Sequence, residues 1–300
     1  MQTAWYALSF LFGSAIGSFI NVLVYRWRQE QTPEPVDGRS YCDSCRRTLR
    51  WYELVPVFSF IFLRGKCRVC QEKIPRQYFA VELIAGIIFS FLFWRLSHFF
   101  PFAYSTGFWA WGAGLVVLWW LVAAVLIAIA AYDAKYYLIP DLFLALLIIL
   151  GTLLNSYYWL LARLTPDFLA SDIVFSGSFG YFMGRDSFSL VYAFWGALFC
   201  LGIIGIAYVL SRGRAMGLGD VFLAIGLGLV LGWPDALLGM FFGFVSGTVV
   251  SLGLILFKKK TIKDIVPLGP FLVFGAFVAV LFSDTIIQGY FTLLGKAFGL

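Results

Sequence analysis

Met216-Gly217-Leu218-Gly219-Asp220 places a carboxylate at the mouth of the apolar run Val221–Gly232. A Gly-x-Gly alone is a weak signal, and the setting gives this one its meaning. An ionisable side chain where a hydrocarbon span begins is costly to keep, so it marks a candidate functional site. A second acid, Asp133, closes another apolar run, Leu115–Tyr132. If the two meet they form a carboxylate dyad. Two carboxylates sharing one proton can activate water and protonate a leaving group. The competing reading for each acid is a helix cap or one half of a structural ion pair.

The apolar runs are not confined to these acids. The chain is 61% hydrophobic and 13% charged, with a mean hydropathy of +0.88; soluble domains run at about 45–50% and about 25%. A span needs roughly 20 apolar residues. Spans are expected at 4–25, 78–96, 113–132, 141–163, 189–211, 220–232, 236–257 and 268–283. The sixth is short and ends at Trp233-Pro234, so it reads as a buried, protein-lined helix rather than a lipid-facing one. Nothing basic or small-residue-rich suggests a cleaved signal at the N-terminus, so the first span is expected to be retained.

A net charge of +6 could suggest nucleic acid, but the basic residues lie beside spans. Eleven Lys and Arg fall between Arg26 and Arg76 alone. Excess Lys and Arg in a short loop places it in the cytoplasm. With eight spans, Lys135, Arg212, Arg214 and Lys258-Lys259-Lys260 fall on that same side. Such charge serves topology and anionic membrane lipid; no nucleic-acid partner is expected.

The polar segment 26–77 carries Cys42-Asp-Ser-Cys45 and, after 21 intervening residues, Cys67-Arg-Val-Cys70. Two such pairs fit a tetrahedral thiolate site, with zinc the natural occupant. A disulfide framework is the rival, but cytosolic thiols are kept reduced. A redox dithiol would need only one pair. The metal's role is structural, because so short a segment buries little core of its own. The fold expected is therefore an all-α polytopic membrane protein of about eight transmembrane helices, with a small zinc-binding cytoplasmic domain inserted after the first span. Its divisions are 1–25, the first transmembrane helix; 26–77, the zinc-binding domain; and 78–300, the membrane body with both acids.

Other residues read more quietly. Gly13, Gly17 and Ser18 form a small-residue stripe suited to close helix packing, and Asn21 reads as a polar group that makes an interhelical hydrogen bond. Cys200 is an ordinary buried thiol. His98, the only histidine, reads as interfacial, with Trp109, Trp111, Trp119 and Trp120 as an aromatic belt. Residues 164–188 read as a solvated acidic loop. Asp141, after Pro140, reads as an N-cap. Gly217 and Gly219 would let a peptide backbone approach closely, and Pro267-Leu268-Gly269-Pro270 is a second rigid element on the same face. Asp133 ends its span and Asp220 begins its own, so their helix dipoles act on them in opposite senses.

Taken together, Gly13-Ser-Ala-Ile-Gly-Ser-Phe-Ile-Asn21-Val-Leu, the two Cys pairs, Tyr78-Phe-Ala-Val-Glu82, Asp133…Ile139-Pro140-Asp141, Gly217-Leu-Gly-Asp220 and Leu268-Gly-Pro-Phe-Leu resemble the bacterial type IV prepilin peptidases. The resemblance covers nearly the whole chain, in order. It implies a GxGD membrane aspartic protease of the bacterial inner membrane. Such a protease cuts the basic leader from prepilins or pseudopilins at the cytoplasmic face. Many relatives then methylate the new N-terminus using S-adenosylmethionine; no nucleotide-binding loop is visible here, so that activity rests on the resemblance alone. It implies Asp133 and Asp220 as the catalytic pair, and Cys42, Cys45, Cys67 and Cys70 as zinc ligands. Three positions depart from the family pattern: Asp43 and Phe79 stand where proline is usual, and Phe222 where a lysine commonly follows the GxGD acid. Two other functions compete: a transporter with proton-relay aspartates, for which internal repeats are missing, and a non-catalytic pilus-assembly scaffold, which would not need both acids.

Overall fold

A computed structural model of the chain describes residues 2–26, 40–42, 44–99, 106–164, 189–214, 216–261 and 264–298. Among these, the regular structure is helical. The helices are α1 (Gln2–Arg26), α2 (Phe58–Phe62), α3 (Arg76–Phe99), α4 (Thr106–Tyr136), α5 (Asp141–Leu164), α6 (Ser189–Ser211), α7 (Leu218–Leu231), α8 (Asp235–Leu256) and α9 (Gly269–Phe298). A 3-10 turn, Trp51–Glu53, precedes α2. All of the long helices qualify as spans: seven stretches are long and apolar enough to cross a membrane, while Leu218–Leu231 is apolar but shorter. This is a multi-pass membrane protein. The chain divides into two compact units, 1–96 and 97–300.

In the first unit, α1 and α3 lie backbone against backbone along the predicted glycine stripe. A Cβ on Gly13 would stand 2.6 Å from the Phe89 Cβ, and one on Gly17 would stand 2.8 Å from the Glu82 Cα. Without a hydrophobic drive between helices in lipid, such close approach is what holds them together. Asn21 is buried and donates to the Tyr78 carbonyl at 3.0 Å, as its position in the span suggested.

The second unit is organised around α7. Its 14 residues span about 21 Å, short of a hydrocarbon core of about 30 Å. It survives because neighbours enclose it: α5, α6, α8 and α9 all pack on it. Val221, Leu223, Ala224, Gly226, Leu227, Gly228 and Val230 are buried. A Cβ on Gly228 would come 2.5 Å from the Ala197 Cα, so α7 and α6 touch through their backbones. The Trp233 N–H donates to the Tyr192 carbonyl at 3.0 Å, which puts the end of α7 beside the start of α6. The two helices therefore run antiparallel, and Asp220 returns to the end of the unit at which α6 finishes. Asn155 ties α5 to α7 by donating to the Leu229 carbonyl at 2.7 Å.

Two expectations change. Trp119 is buried and donates to the Tyr158 hydroxyl at 2.8 Å rather than joining an interfacial belt. The reason is length: α4 begins at Thr106, so Trp119 lies about 20 Å along the helix, in the bundle's interior. Asp141 is the first residue of α5 rather than the residue before it. The acidic loop 164–188 lies outside the described residues from 165 onward, as do Asp43 and the side chains of His98, Trp109 and Trp111.

Candidate active site and metal centre

The second unit brings the ends of three helices together. Asp133 lies in the last turn of α4 and is 5% exposed. Its Oδ2 accepts the Gly269 N–H at 2.9 Å. The first N–H groups of any helix have no partner within it, so the start of α9 is capped here by a carboxylate from α4. Residues 257–261 and 264–268 belong to the connection from α8 that leads to that N–H. Lys260 anchors them: its Nζ donates to the Ile265 carbonyl at 2.7 Å and stands over the Tyr137 ring at 5.6 Å.

Asp220 is the third residue of α7. Its Oδ2 accepts the N–H of Gly217, the residue before the helix, at 3.1 Å. Gly217 has ordinary extended dihedrals, φ −82° and ψ 160°, so its glycine is not required by the turn. What it provides is room: among the described residues other than its chain neighbours, only the Asp220 Oδ2 and the Gly219 nitrogen lie within 4 Å of a Cβ built on it. The Ile139 side chain of the α4–α5 connection rests beside Gly219. The two acids are near enough for the Asp220 charge to act on Asp133. Sequence reading placed Asp133 in the field of one helix C-terminus only. The structure adds the N-terminus of α9, whose partial positive charge opposes it.

In the first unit, each Cys pair sits in a knuckle closed by one isolated antiparallel bridge, Tyr41 with Thr48 and Lys66 with Lys73. The knuckles match residue for residue. The Cys42 N–H donates to the Arg47 carbonyl at 2.9 Å, and the Cys67 N–H to the Glu72 carbonyl at 2.8 Å. The residue after each second cysteine is left-handed, Arg46 at φ 54° and Gln71 at φ 58°. All four Sγ atoms lie within 4.8 Å of one another and none is in a disulfide. Cys42 and Cys70 are 3.7 Å apart. A tetrahedron with metal–sulfur bonds of about 2.3 Å has edges of about 3.8 Å. The donor set therefore fits a metal ion of zinc's size.

The thiols also differ usefully. The backbone N–H groups of Cys70 and Val69 hold the Cys67 thiol down to about 6. Cys70 receives the Glu72 N–H, yet burial and the neighbouring thiols push it up to about 12. Once one thiolate has formed, the cluster resists a second unless a cation joins it. Glu53 braces the first knuckle: it accepts the Arg50 N–H at 2.8 Å and the Arg47 guanidinium at 2.6 Å. Burial works against its charge, but these two donors prevail and hold its carboxyl below the usual range. That brace is complete at neutral pH and is lost only as pH falls through the lowered value.

Of the departures from the family pattern, Phe79 stacks on Phe60 with ring centroids 4.9 Å apart. Phe222 is partly exposed on α7; nothing in the structure explains it.

Residues 11–96 match the profile of the bacterial Peptidase A24 N-terminal domain, and residues 120–252 match that of the Type IV leader peptidase family. The chain is 28% identical over 315 aligned residues to a prepilin leader peptidase/N-methyltransferase of Aeromonas salmonicida, covering 97% of this chain and 95% of the relative. It is 29% identical to the protein of that name from Pseudomonas aeruginosa, covering 97% and 95%. A Legionella pneumophila relative of the same name is 24% identical over 93% of this chain and 92% of its own length. No solved structure matches the chain.

Proposed function

From its place in the type IV leader peptidase family, to which this chain belongs, we propose that it is a membrane aspartic endopeptidase cutting the leader from prepilins or pseudopilins. Asp133 and Asp220 are the catalytic pair. The observation that carries this reading is how each carboxylate is held: the Oδ2 of each accepts a fixed backbone N–H. The Oδ1 of each is left for a shared proton and the attacking water. One carboxylate takes the proton from water as its oxygen attacks the scissile carbonyl. The other gives a proton to the amine as the C–N bond breaks. Neither donor moves during this exchange, so little reorganisation is required. The open face at Gly217 gives an extended substrate backbone access to the Asp220 side.

In this reading the reaction runs at the cytoplasmic face of the inner membrane. Lys135, Arg212, Arg214 and Lys258–Lys260 flank the same helix ends as the two acids, and excess Lys and Arg mark the cytoplasmic side. Residues 26–77 serve as the zinc-binding domain and 78–300 as the peptidase body. Zinc, held by Cys42, Cys45, Cys67 and Cys70, contributes folding energy to that domain. N-methylation of the new N-terminus, with S-adenosylmethionine supplying the methyl group, is inferred from the names of the relatives.

The test is cleavage by the purified, zinc-loaded protein in lipid nanodiscs. The substrate is a prepilin peptide carrying its leader and the first apolar stretch of the mature chain. The expected product is the shortened peptide, gaining one methyl mass when S-adenosylmethionine is added. An intact peptide would overturn the peptidase reading.

Gly269 gives a finer check. A Cβ there would stand 2.6 Å from the Asp133 Oδ2. Gly269→Ala must therefore push that carboxylate aside, and misplacing a reacting group by about 1 Å costs on the order of 100-fold. A fall in kcat of about 10- to 100-fold is expected with zinc content unchanged; full activity would count against Asp133 in this role.

A further inference from the structure

We propose that α2 and its flanking residues lie in the membrane interface, held at that depth by Glu82, with Phe58, Ile61 and Phe62 inserted among lipid chains. The depth comes from α3. That helix has 24 residues and measures about 36 Å, against a hydrocarbon core of about 30 Å. Its first turn therefore occupies the interface. The Tyr25–Tyr78 ring pair, centroids 5.4 Å apart, marks the same level on α1 and α3, where tyrosine concentrates in membrane proteins.

Two contacts fix α2 beside this level. The N–H of Val57, the residue before α2, donates to the Glu82 carboxylate at 2.7 Å. Glu82 lies about 9 Å along α3 from Arg76, and its side chain leans back toward the helix N-terminus. Phe60 stacks on Phe79, in the first turn of α3. Glu82 also packs on α1, its Cα 2.8 Å from a Cβ built on Gly17, so this residue sits where both membrane helices of this unit meet the knuckle segment.

With Phe60 turned inward, the outer side of α2 is apolar and bare. Phe62 is 81% exposed, Ile61 57% and Phe58 42%. In a solvated loop such exposure would be costly. At this depth the neighbour is lipid. Arg64 and Lys66, both exposed, follow at once, and cations beside an inserted apolar segment suit anionic headgroups. The knuckle segment is thereby a membrane-resting element and does not hang free on its two tethers.

The test is photo-crosslinking of the full chain, zinc-loaded, in vesicles of phosphatidylcholine and phosphatidylglycerol. Benzoylphenylalanine replaces Phe62 in one variant and exposed Glu72 in another. Lipid adducts at position 62 should exceed those at 72 by at least roughly five-fold. Equal yields at the two positions would overturn the proposal. So would adducts at 62 going mainly to an added prepilin peptide or to a second copy of the chain. Glu82→Gln keeps an acceptor for the Val57 N–H and should preserve the yield at 62. Glu82→Ala should lower it several-fold, and an unchanged yield there would overturn the role given to Glu82. If Glu82→Ala loses its zinc, the ratio between positions 62 and 72 in the otherwise native chain decides.

Discussion

Asp133→Asn and Asp220→Asn should each reduce leader cleavage by at least about 1,000-fold, within the range of about 100- to 10,000-fold that a single general acid or base contributes, while the protein still inserts and keeps its zinc. The substitution is chosen to spare the scaffold. An asparagine Oδ1 can still accept the Gly269 N–H that caps α9, and likewise the Gly217 N–H before α7. What is lost is the ability to carry and exchange a proton. Asp141→Asn is the control. Asp141 opens α5, where its charge serves the helix dipole at about 0.3–1 kcal/mol, so most activity should remain. Normal cutting by Asp133→Asn together with full loss in Asp141→Asn would overturn the assignment.

The helices were readable because each rests on a local signal. Apolar runs of membrane length gave the spans, and Trp233-Pro234 gave the end of the short one. The glycine stripe in α1 and the interhelical hydrogen bond of Asn21 followed from small and polar residues where lipid offers no alternative partner. The metal knuckles were equally local, four cysteines at two fixed spacings.

What escaped reading is what depends on long-range contact. The Gly269 N–H reaches Asp133 across 136 residues, and no periodicity announces it. The sequence signal was there in Pro267-Leu268-Gly269-Pro270, a rigid turn opening a span, but not its partner. Glu82 is similar. It was visible as part of a motif, yet its work of receiving the Val57 N–H belongs to tertiary structure. Trp119 was misplaced because composition cannot distinguish an aromatic residue at the lipid surface from one donating to a tyrosine inside the bundle.

Cys67→Ser should strip the protein of its metal, from about one equivalent of zinc to below about a tenth, because structural zinc and the fold of its segment are lost together. Cys67 is the sharpest choice of the four. It is 5% exposed, and the nearby backbone N–H groups of Cys70 and Val69 favour its thiolate form. A serine hydroxyl there is a poor ligand and does not ionise near neutral pH. With the metal gone, the left-handed turns at Arg46 and Gln71 lose the tie that holds two facing knuckles, and residues 40–75 should become rapidly exchanging in hydrogen exchange. Cys200→Ser should change neither readout, since Cys200 is enclosed in α6 and takes no part in the cluster. Acid should act as the mutation does. Metal and protons compete for the same four sulfurs, so zinc retention should fall as pH is lowered. Zinc retained at one equivalent in Cys67→Ser, or four thiols freely alkylated in the unmodified protein without denaturant, would remove the metal from this site.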